Sequence, residues 1–303
     1  MSALNHTIDD ISPLIQYAGD WRQSTPASDP EISQYLNTTF TTCNTAGSSA
    51  TFTFNGTAIW IFGAKRPNHG QYRQVSNCVV EGGSIVIGFS VSLDSTVTIL
   101  HGHADPPIYQ TPIFTATNLA DTTHTIIITN QQVNASRSYL DLDFITWTST
   151  PRKGGKQTTT LHSSESDFSY APQAAWSTNS TASSTSSDQA SVLLTFMVAW
   201  AARWGVPYST VGPDSGAYTV SIDNGQPSTS NANKLNTTNQ VPLFFASALG
   251  PGNHTLNITN TPRQGGQVLG IDYAVAARAD AASAVSGYVD GSIAFHSLVY
   301  IRI

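Results

Sequence analysis

The feature that most constrains the fold is an internal repeat, which emerges when the sequence is laid over itself at an offset of 130 residues. Gln110–Ala116 then matches Gln240–Ala246, and His124–Asn130 matches His254–Asn260, both without a gap. A repeat of this spacing is long enough for a small domain with its own hydrophobic core. The chain of 303 residues is therefore predicted to contain two copies of one module.

Within each copy the hydrophobic pattern has a period of two, which is typical of half-buried strands. Ala50–Phe54, Ala58–Phe62 and Tyr218–Ile222 are rich in β-branched and aromatic residues. Asn55 and Gly56 tolerate positive φ angles and predict a hairpin turn between the first two segments. We therefore predict an all-β protein with two tandem β-sandwich domains of the jelly-roll type and little helix.

The limits of the repeat set the predicted domain boundaries. The first module covers residues 1–150 and the second covers residues 164–277. Residues 151–163 are predicted as a linker, because Lys, Gly and Thr dominate the start of that segment. Residues 278–303 have no counterpart in the first module and are left as an unassigned tail.

One segment of the first module has no counterpart in the second. The distance from Tyr72 to Gln110 is sixteen residues longer than the distance from Tyr218 to Gln240. Residues 75–90 are therefore a possible insertion, and a retained intron in the gene model would account for it. A genuine additional hairpin is the alternative.

Composition limits the classes of partner. Charged residues make up 11% of the chain, where about 25% is typical, and the formal net charge is −6. No extended basic cluster is present, which argues against nucleic acid as a partner. No apolar run reaches the length of a membrane span, and the chain does not open with a signal peptide.

Two further features are typical of an extracellular protein. Cys43 and Cys78 could form one disulfide in an oxidising compartment, although the sequence does not show whether they pair. Eight N-x-S/T sequons are the predicted glycosylation sites, at Asn5, Asn37, Asn55, Asn134, Asn179, Asn236, Asn253 and Asn257.

A set of aromatic and polar residues in the first module suits carbohydrate recognition, which needs an aromatic face and planar hydrogen-bonding groups on loops. The candidate ligand-binding residues are Trp21, Arg66, Asn68, His69 and Tyr72. The alternative is structural, because Tyr17 and Trp21 recur in the second module as Tyr170 and Trp176. Arg66, Asn68 and His69 are the stronger candidates, since the second module has Gly212, Asp214 and Ser215 there.

Neither a metal site nor a catalytic site is predicted. His101, His103 and Asp105 alternate along the chain, but the prolines that follow indicate a loop, and no cofactor is expected. Asp141 and Asp143 lie too close in sequence to flank a glycosidic bond in the usual way. Because Asp143 recurs as Asp272, this carboxylate is interpreted as architectural.

Several motifs together carry a resemblance: Ile8–Asp10, Pro13–Tyr17, Trp21, Gly47–Thr57, Phe62–Gly70 and Leu140–Trp147. They resemble one fungal family of secreted or single-pass surface proteins from mushroom-forming fungi, and the resemblance covers about residues 10–277. It implies two galactose-binding-like jelly rolls. In that family a signal peptide and a membrane helix usually flank this region, and this chain has neither. The resemblance implies no catalytic residues.

These observations predict an extracellular or cell-surface protein that binds carbohydrate in a lectin-like way without catalysis, with cell-wall or extracellular glycans as its partners. A structural, glycosylated spacer without a ligand site is the alternative. A glycoside hydrolase is a third interpretation, since Asp20, Asp105 and Asp143 could converge in space.

Overall fold

The computed structural model describes residues 4–70, 88–131, 135–149, 156–198, 205–247, 249, 252–279 and 298–301. The chain divides into two compact units. The N-terminal unit comprises Ala3–Ile11 and Ile15–Thr150, and the C-terminal unit comprises Met1–Ser2, Ser12–Leu14 and Pro151–Ile303.

Strands dominate the N-terminal unit. Three one-turn 3-10 helices occur at Ile32–Gln34, Leu36–Thr38 and Ala135–Arg137. The strands are β1 (Leu4–Asp9), β2 (Gln16–Ala18), β3 (Trp21–Gln23), β4 (Thr41–Cys43), β5 (Ser49–Lys65), β6 (Phe89–Leu93), β7 (Thr96–Leu100), β8 (Ile108–Asn130), β9 (Leu140–Leu142) and β10 (Phe144–Ser149).

The C-terminal unit is also built from strands, with a 3-10 helix at Gln173–Ala175. Its strands are β11 (Lys156–His162), β12 (Phe168–Ala171), β13 (Ser177–Thr178), β14 (Ser183–Thr185), β15 (Ser191–Val198), β16 (Gly205–Val211), β17 (Ala217–Ile222), β18 (Ser228–Asn231), β19 (Thr238–Pro242), β20 (Phe244–Ser247), β21 (Gly252–Asn260), β22 (Leu269–Ile271), β23 (Tyr273–Ala279) and β24 (Leu298–Ile301).

The predicted all-β class is confirmed, because the described residues form no α-helix. In the N-terminal unit one sheet has the order β1-β10-β5-β8-β6-β7 with β2 on β5, and a smaller sheet has the order β3-β4-β9. All strand pairs within these sheets are antiparallel. Large apolar side chains fill the core, among them Phe52, Phe54, Ile59, Ile61 and Trp147.

The predicted hairpin turn at Asn55 and Gly56 is wrong. β5 runs through both residues and stays paired with β8, with a shift in register between Gly56 and Ala58. A Cβ on Gly56 would lie 2.3 Å from the carbonyl oxygen of Thr148. Glycine is required here because the backbone of β10 approaches closely.

The C-terminal unit repeats most of this arrangement. Its sheet β12-β15-β21-β17-β18 has the same order of equivalent strands as β2-β5-β8-β6-β7, and its sheet β13-β14-β22 matches β3-β4-β9. A third sheet contains β19-β16-β23-β24-β20, with β11 on β23. The repeat found in the sequence is thus a repeat of topology.

Several side-chain contacts recur at equivalent positions. The hydroxyl of Tyr17 donates to the carbonyl of Asp10 at 2.8 Å, and that of Tyr170 donates to Ser163 at 2.6 Å. These contacts support the structural interpretation of the recurring tyrosine.

A histidine–aspartate pair also recurs. His124 Nδ1 lies 2.8 Å from Asp94 Oδ2, and His254 Nδ1 lies 2.7 Å from Asp223 Oδ2. The other oxygen of each carboxylate accepts from the backbone N–H of the residue that follows the histidine. Each pair therefore ties a turn to the neighbouring strand.

The structure moves the boundary of the possible insertion. Phe89 and Ser90 were placed inside it by the sequence, but both are buried in β6. Phe89 pairs with Asn130 as Tyr218 pairs with Asn260, so Phe89, and not Tyr72, is equivalent to Tyr218. The remainder of the possible insertion, residues 75–87, lies outside the described residues.

Two other boundaries also change. Lys156–His162 were predicted as part of the linker, but they form β11 and pair with β23 along their whole length. In the tail, Leu298–Ile301 form β24, which pairs with β20. Cys43 is buried in β4, and Cys78 lies outside the described residues.

Candidate functional site

An open depression of about 450 Å³ lies at one end of the N-terminal unit. Its walls come from the residue before the first 3-10 helix, the loop after β5, and the residues at the start of β8. The lining residues are Glu31, Arg66, Pro67, Asn68, Pro107 and Tyr109.

The loop after β5 positions two of these residues. The backbone N–H of Arg66 donates to the carbonyl of Gly102 at 2.9 Å, and that of His69 donates to the carbonyl of Arg66 at 3.0 Å. The N–H of Tyr139 donates to the carbonyl of Asn68 at 3.3 Å. Because its backbone is bonded on both sides, this loop is a fixed part of the wall.

An ion pair beneath the depression holds the side chain of Arg66. Its guanidinium lies 2.5 Å from the carboxylate of Asp29, and both side chains are largely buried. The guanidinium also donates to the hydroxyl of Tyr35 at 3.3 Å and lies 5.7 Å from the ring centroid of Tyr109. Arg66 therefore braces the aromatic ring that faces the depression.

Asp141 is the centre of this polar network. Its carboxylate accepts hydrogen bonds from the hydroxyls of Tyr35 at 2.6 Å and Thr42 at 2.7 Å. His69 Nε2 lies 3.0 Å from its Oδ2 atom. Burial alone would raise the pKa of Asp141, but the charge and contact of His69 and the two hydroxyls outweigh burial and hold the pKa below its ordinary value.

The predicted ligand-binding residues separate into three groups. Arg66 and Asn68 line the depression. His69 does not fit the prediction that it contacts a ligand, because its side chain is only 1% exposed and supports Asp141 from inside. Trp21 does not line the depression; it is half-buried with its ring centroid 5.1 Å from that of Tyr17. Tyr72 lies outside the described residues.

Sequence reasoning missed Glu31, Pro107 and Tyr109. The signal for Tyr109 was present, because the equivalent position of the second module holds Asn239 at the offset of 130. An aromatic residue that one copy alone carries, next to two prolines, is a better indicator of a ligand surface than an aromatic residue that recurs. No comparable signal was present for Glu31.

The carboxylate of Asp143 is fully buried and accepts from the backbone N–H of Leu36 at 3.0 Å. Burial raises its pKa to about 7, and the nearby Asp9 and Asp141 add to the shift. Burial likewise raises the pKa of Asp272 to about 6. The backbone carbonyls of both aspartates accept equivalent hydrogen bonds, from Asp10 and Ser163. Their role is architectural, and Asp143 has no access to a saccharide on the surface.

Within the described residues no group of three or more His, Cys, Asp and Glu side chains could hold a metal ion. No helix among them is long and apolar enough to cross a bilayer.

The sequons differ in accessibility. Asn55 is buried within β5, so the predicted glycosylation there does not fit the folded protein. Asn257 is half-buried, and Asn134 lies outside the described residues. The exposed sequon asparagines are Asn5, Asn37, Asn179, Asn236 and Asn253.

No protein-family model matches the chain, and no curated protein sequence matches it. Among solved structures, the Agl-KA catalytic domain is similar at 16% identity and a TM-score of 0.31, with 48% of this chain and 28% of that chain covered. A Paenibacillus xanthan lyase has a TM-score of 0.28 and 11% identity, with 87% of this chain and 25% of that chain covered. The chain thus spans little more than a quarter of the length of these two structures.

A tandem of two CBM22 modules from Paenibacillus barcinonensis Xyn10C shows 8% identity and a TM-score of 0.22, with 87% and 93% of the two chains covered. Likenesses at these TM-scores carry no argument about function. The functional conclusion therefore depends on the depression itself.

Proposed function

We propose that this chain is a non-catalytic, extracellular protein that binds neutral carbohydrate in the depression of the N-terminal unit. The observation that carries the proposal is the position of Tyr109, a half-buried ring that packs edge-on against Tyr35 and lines the depression beside polar groups. Aromatic rings provide the flat apolar area on which the C–H face of a sugar packs, while neighbouring polar groups bond its hydroxyls.

The polar groups of the depression suit hydroxyl recognition. Asn68 Oδ1 faces His69 Nδ1 at 2.9 Å, and no described residue accepts a hydrogen bond from the other end of the amide. The exposed carboxylate of Glu31 can accept hydroxyl protons. A donor and an acceptor therefore line the same depression as the aromatic ring.

Charge favours a neutral ligand over an acidic one. The guanidinium of Arg66 is already paired with Asp29, and Asp141 lies 3.7 Å away. Glu31 adds a further carboxylate at the rim. An acidic sugar would be repelled by Glu31 and by the nearby carboxylates of Asp29 and Asp141, and the lining residues that the structure describes include no unpaired cation.

The shape of the site indicates weak binding by each copy. An open depression buries little ligand area, so we expect dissociation constants on the order of micromolar to millimolar. Display of many copies on a surface would supply avidity. The exposed sequons and the resemblance to fungal surface proteins support a location outside the cell, with wall or extracellular glycans as partners.

The test is a glycan array with neutral wall polysaccharides, followed by titration of the best oligosaccharide. Tyr109→Ala is expected to weaken binding at least about fivefold, because an aromatic contact is worth on the order of 1 kcal/mol. Ile108→Ala is the matched control, since Ile108 precedes Tyr109 in β8, is 50% exposed and does not line the depression. Equal binding by both variants would move the site elsewhere, and no binding to any glycan would favour the structural spacer.

A further inference from the structure

We infer that the C-terminal unit carries a second saccharide site, which binds a pair of neighbouring sugar hydroxyls through hydrogen bonds and without aromatic stacking. This site goes beyond the proposed function, which is assigned to the other unit. The inference starts from a depression of about 410 Å³ in the C-terminal unit. The residues that matter for recognition are Asp214, Asn231, Asn233, Arg263, Gln264 and Gln267.

This depression shares one equivalent wall with the depression that contains Tyr109, because Pro213 and Asp214 line the first and Pro67 and Asn68 line the second. The backbone N–H of Ser215 donates to the carbonyl of Gly212, as the N–H of His69 donates to the carbonyl of Arg66. The N–H of Val268 donates to the carbonyl of Asp214, as the N–H of Tyr139 donates to the carbonyl of Asn68. Pro213 and Asp214 thus replace Pro67 and Asn68 on the same backbone. The repeat has retained the backbone of this loop and changed its side chains.

Side chains fix the walls of the second depression. Asn233 Nδ2 donates to the carbonyls of Pro213 at 2.7 Å and Ser215 at 3.0 Å. Gln267 Oε1 accepts from the backbone N–H groups of Arg263 at 2.9 Å and Gln264 at 3.1 Å. The loops are therefore held in place before a ligand arrives, which lowers the entropic cost of binding.

Two charged side chains remain available in this fixed frame. The carboxylate of Asp214 and the guanidinium of Arg263 are both exposed, and neither forms an ion pair or a side-chain hydrogen bond within the described part of the chain. They line the same depression without pairing with each other. A carboxylate that accepts and a guanidinium that donates can together bond two neighbouring hydroxyl groups.

The chemistry of the walls selects the ligand class. None of the described residues that line this depression is aromatic, so recognition would depend on hydrogen bonds. The charges of Asp214 and Arg263 cancel, which favours a neutral saccharide over a uronic acid. The N-terminal unit would then recognise sugars by aromatic stacking, and the C-terminal unit would recognise them by hydrogen bonds to their hydroxyl groups.

The experiment uses the full chain and titrates laminarihexaose, chitohexaose and mannohexaose as neutral probes, with hexagalacturonate as the acidic probe. The wild type is titrated first, and all further titrations are made in a Tyr109→Ala background, which weakens the proposed N-terminal site. Asp214→Asn and Arg263→Ala are then added singly. Glu165→Gln is the control, because Glu165 is an exposed carboxylate of the same unit that does not line the depression.

We expect Tyr109→Ala protein to bind at least one neutral probe and each added variant to weaken it about tenfold or more, since hydrogen bonds to charged groups are lost. The control is expected to bind as Tyr109→Ala protein does. Loss of all neutral binding in Tyr109→Ala alone would overturn this second site and leave the proposed function intact. Neutral binding insensitive to Asp214→Asn and Arg263→Ala, exclusive binding of hexagalacturonate, or binding of no probe would also overturn it.

Discussion

At the loop end of the N-terminal unit charged side chains lie beneath the surface, whereas the same positions of the C-terminal unit hold small residues. Arg66, His69 and Asp141 correspond to Gly212, Ser215 and Gly270. The first unit fixes its loops with a buried ionic network. The second fixes them with the amide side chains of Asn233 and Gln267. The same backbone is thus held by a buried ionic network in one unit and by amide hydrogen bonds in the other.

The contacts that do not differ identify the framework. The tyrosine bonded to a backbone carbonyl and the histidine–aspartate pair occur in both units with nearly the same distances. These contacts lie where strands and turns must be joined. At the loop end the units differ instead in the polar contacts that hold the loops, and predictions can test each side of the comparison.

The largest expected effect comes from the buried network. Asp141→Ala should lower the free energy of unfolding of the N-terminal unit by about 3–5 kcal/mol, because Arg66 and His69 would lose a buried carboxylate partner. Denaturant unfolding measures this change. Asp214→Ala, at an exposed position of the other unit, should change stability by less than about 0.5 kcal/mol. A loss below about 1 kcal/mol for Asp141→Ala would show that the network is dispensable.

The next effect depends on pH. The carboxyl of Asp143 has a pKa raised to about 7 in the folded protein, so the folded state binds more protons than the unfolded state between about pH 4 and pH 7. Stability should therefore fall as pH rises through this window. Asp143→Asn should flatten that fall and stabilise the protein at pH 8 by on the order of 1–3 kcal/mol.

Asp272→Asn is the equivalent substitution in the C-terminal unit. The Asp272 carboxyl is only partly buried and has a pKa raised to about 6. Its substitution should therefore also stabilise the protein at high pH, but by less than Asp143→Asn and over a lower pH range. Melting temperatures between pH 4.5 and pH 8 test both variants. A fall in stability that Asp143→Asn leaves unchanged would contradict this assignment.

A smaller and equal effect is expected at the recurring tyrosines. Tyr17→Phe and Tyr170→Phe each remove one hydroxyl that donates to a backbone carbonyl. Each should cost about 1 kcal/mol of unfolding free energy. Costs that differ by more than about 1 kcal/mol would show that the two contacts are not equivalent parts of one framework.

The smallest effect is expected from a deletion. In the C-terminal unit Gly216 and Ala217 are consecutive in the chain. Their equivalents in the N-terminal unit, Gly70 and Gly88, are close in space, because a Cβ placed on Gly88 would lie 3.2 Å from the carbonyl oxygen of Gly70. Removing residues 71–87 and joining Gly70 to Gly88 should leave the melting temperature within a few degrees. Failure of the shortened chain to fold would show that the segment belongs to the core.

Much of the fold could be predicted because the internal repeat identifies equivalent residues in the two modules without any assignment of strands. The equivalence of Pro67–Gly70 with Pro213–Gly216 was visible in sequence and is reproduced in the backbone bonds. Gly56 was misread because a tight turn and the close approach of another strand both require glycine. The sequence does not distinguish these two causes.

The candidate site could be predicted only in part. Arg66 and Asn68 were found through their difference from the second module, and Tyr109 would have been found by the same comparison. His69 could not be excluded from sequence, because its burial depends on Asp141, which is distant along the chain. Local pattern identifies a polar loop, but long-range contacts decide which of its side chains faces outward.

The most direct test of the proposed function is a crystal structure of the protein with the neutral oligosaccharide that binds most tightly in titration. The proposal predicts a sugar ring packed against Tyr109, with hydroxyls directed toward Asn68 and Glu31. A sugar bound beside Trp21 or elsewhere on the N-terminal unit, with the depression at Tyr109 empty, would contradict it.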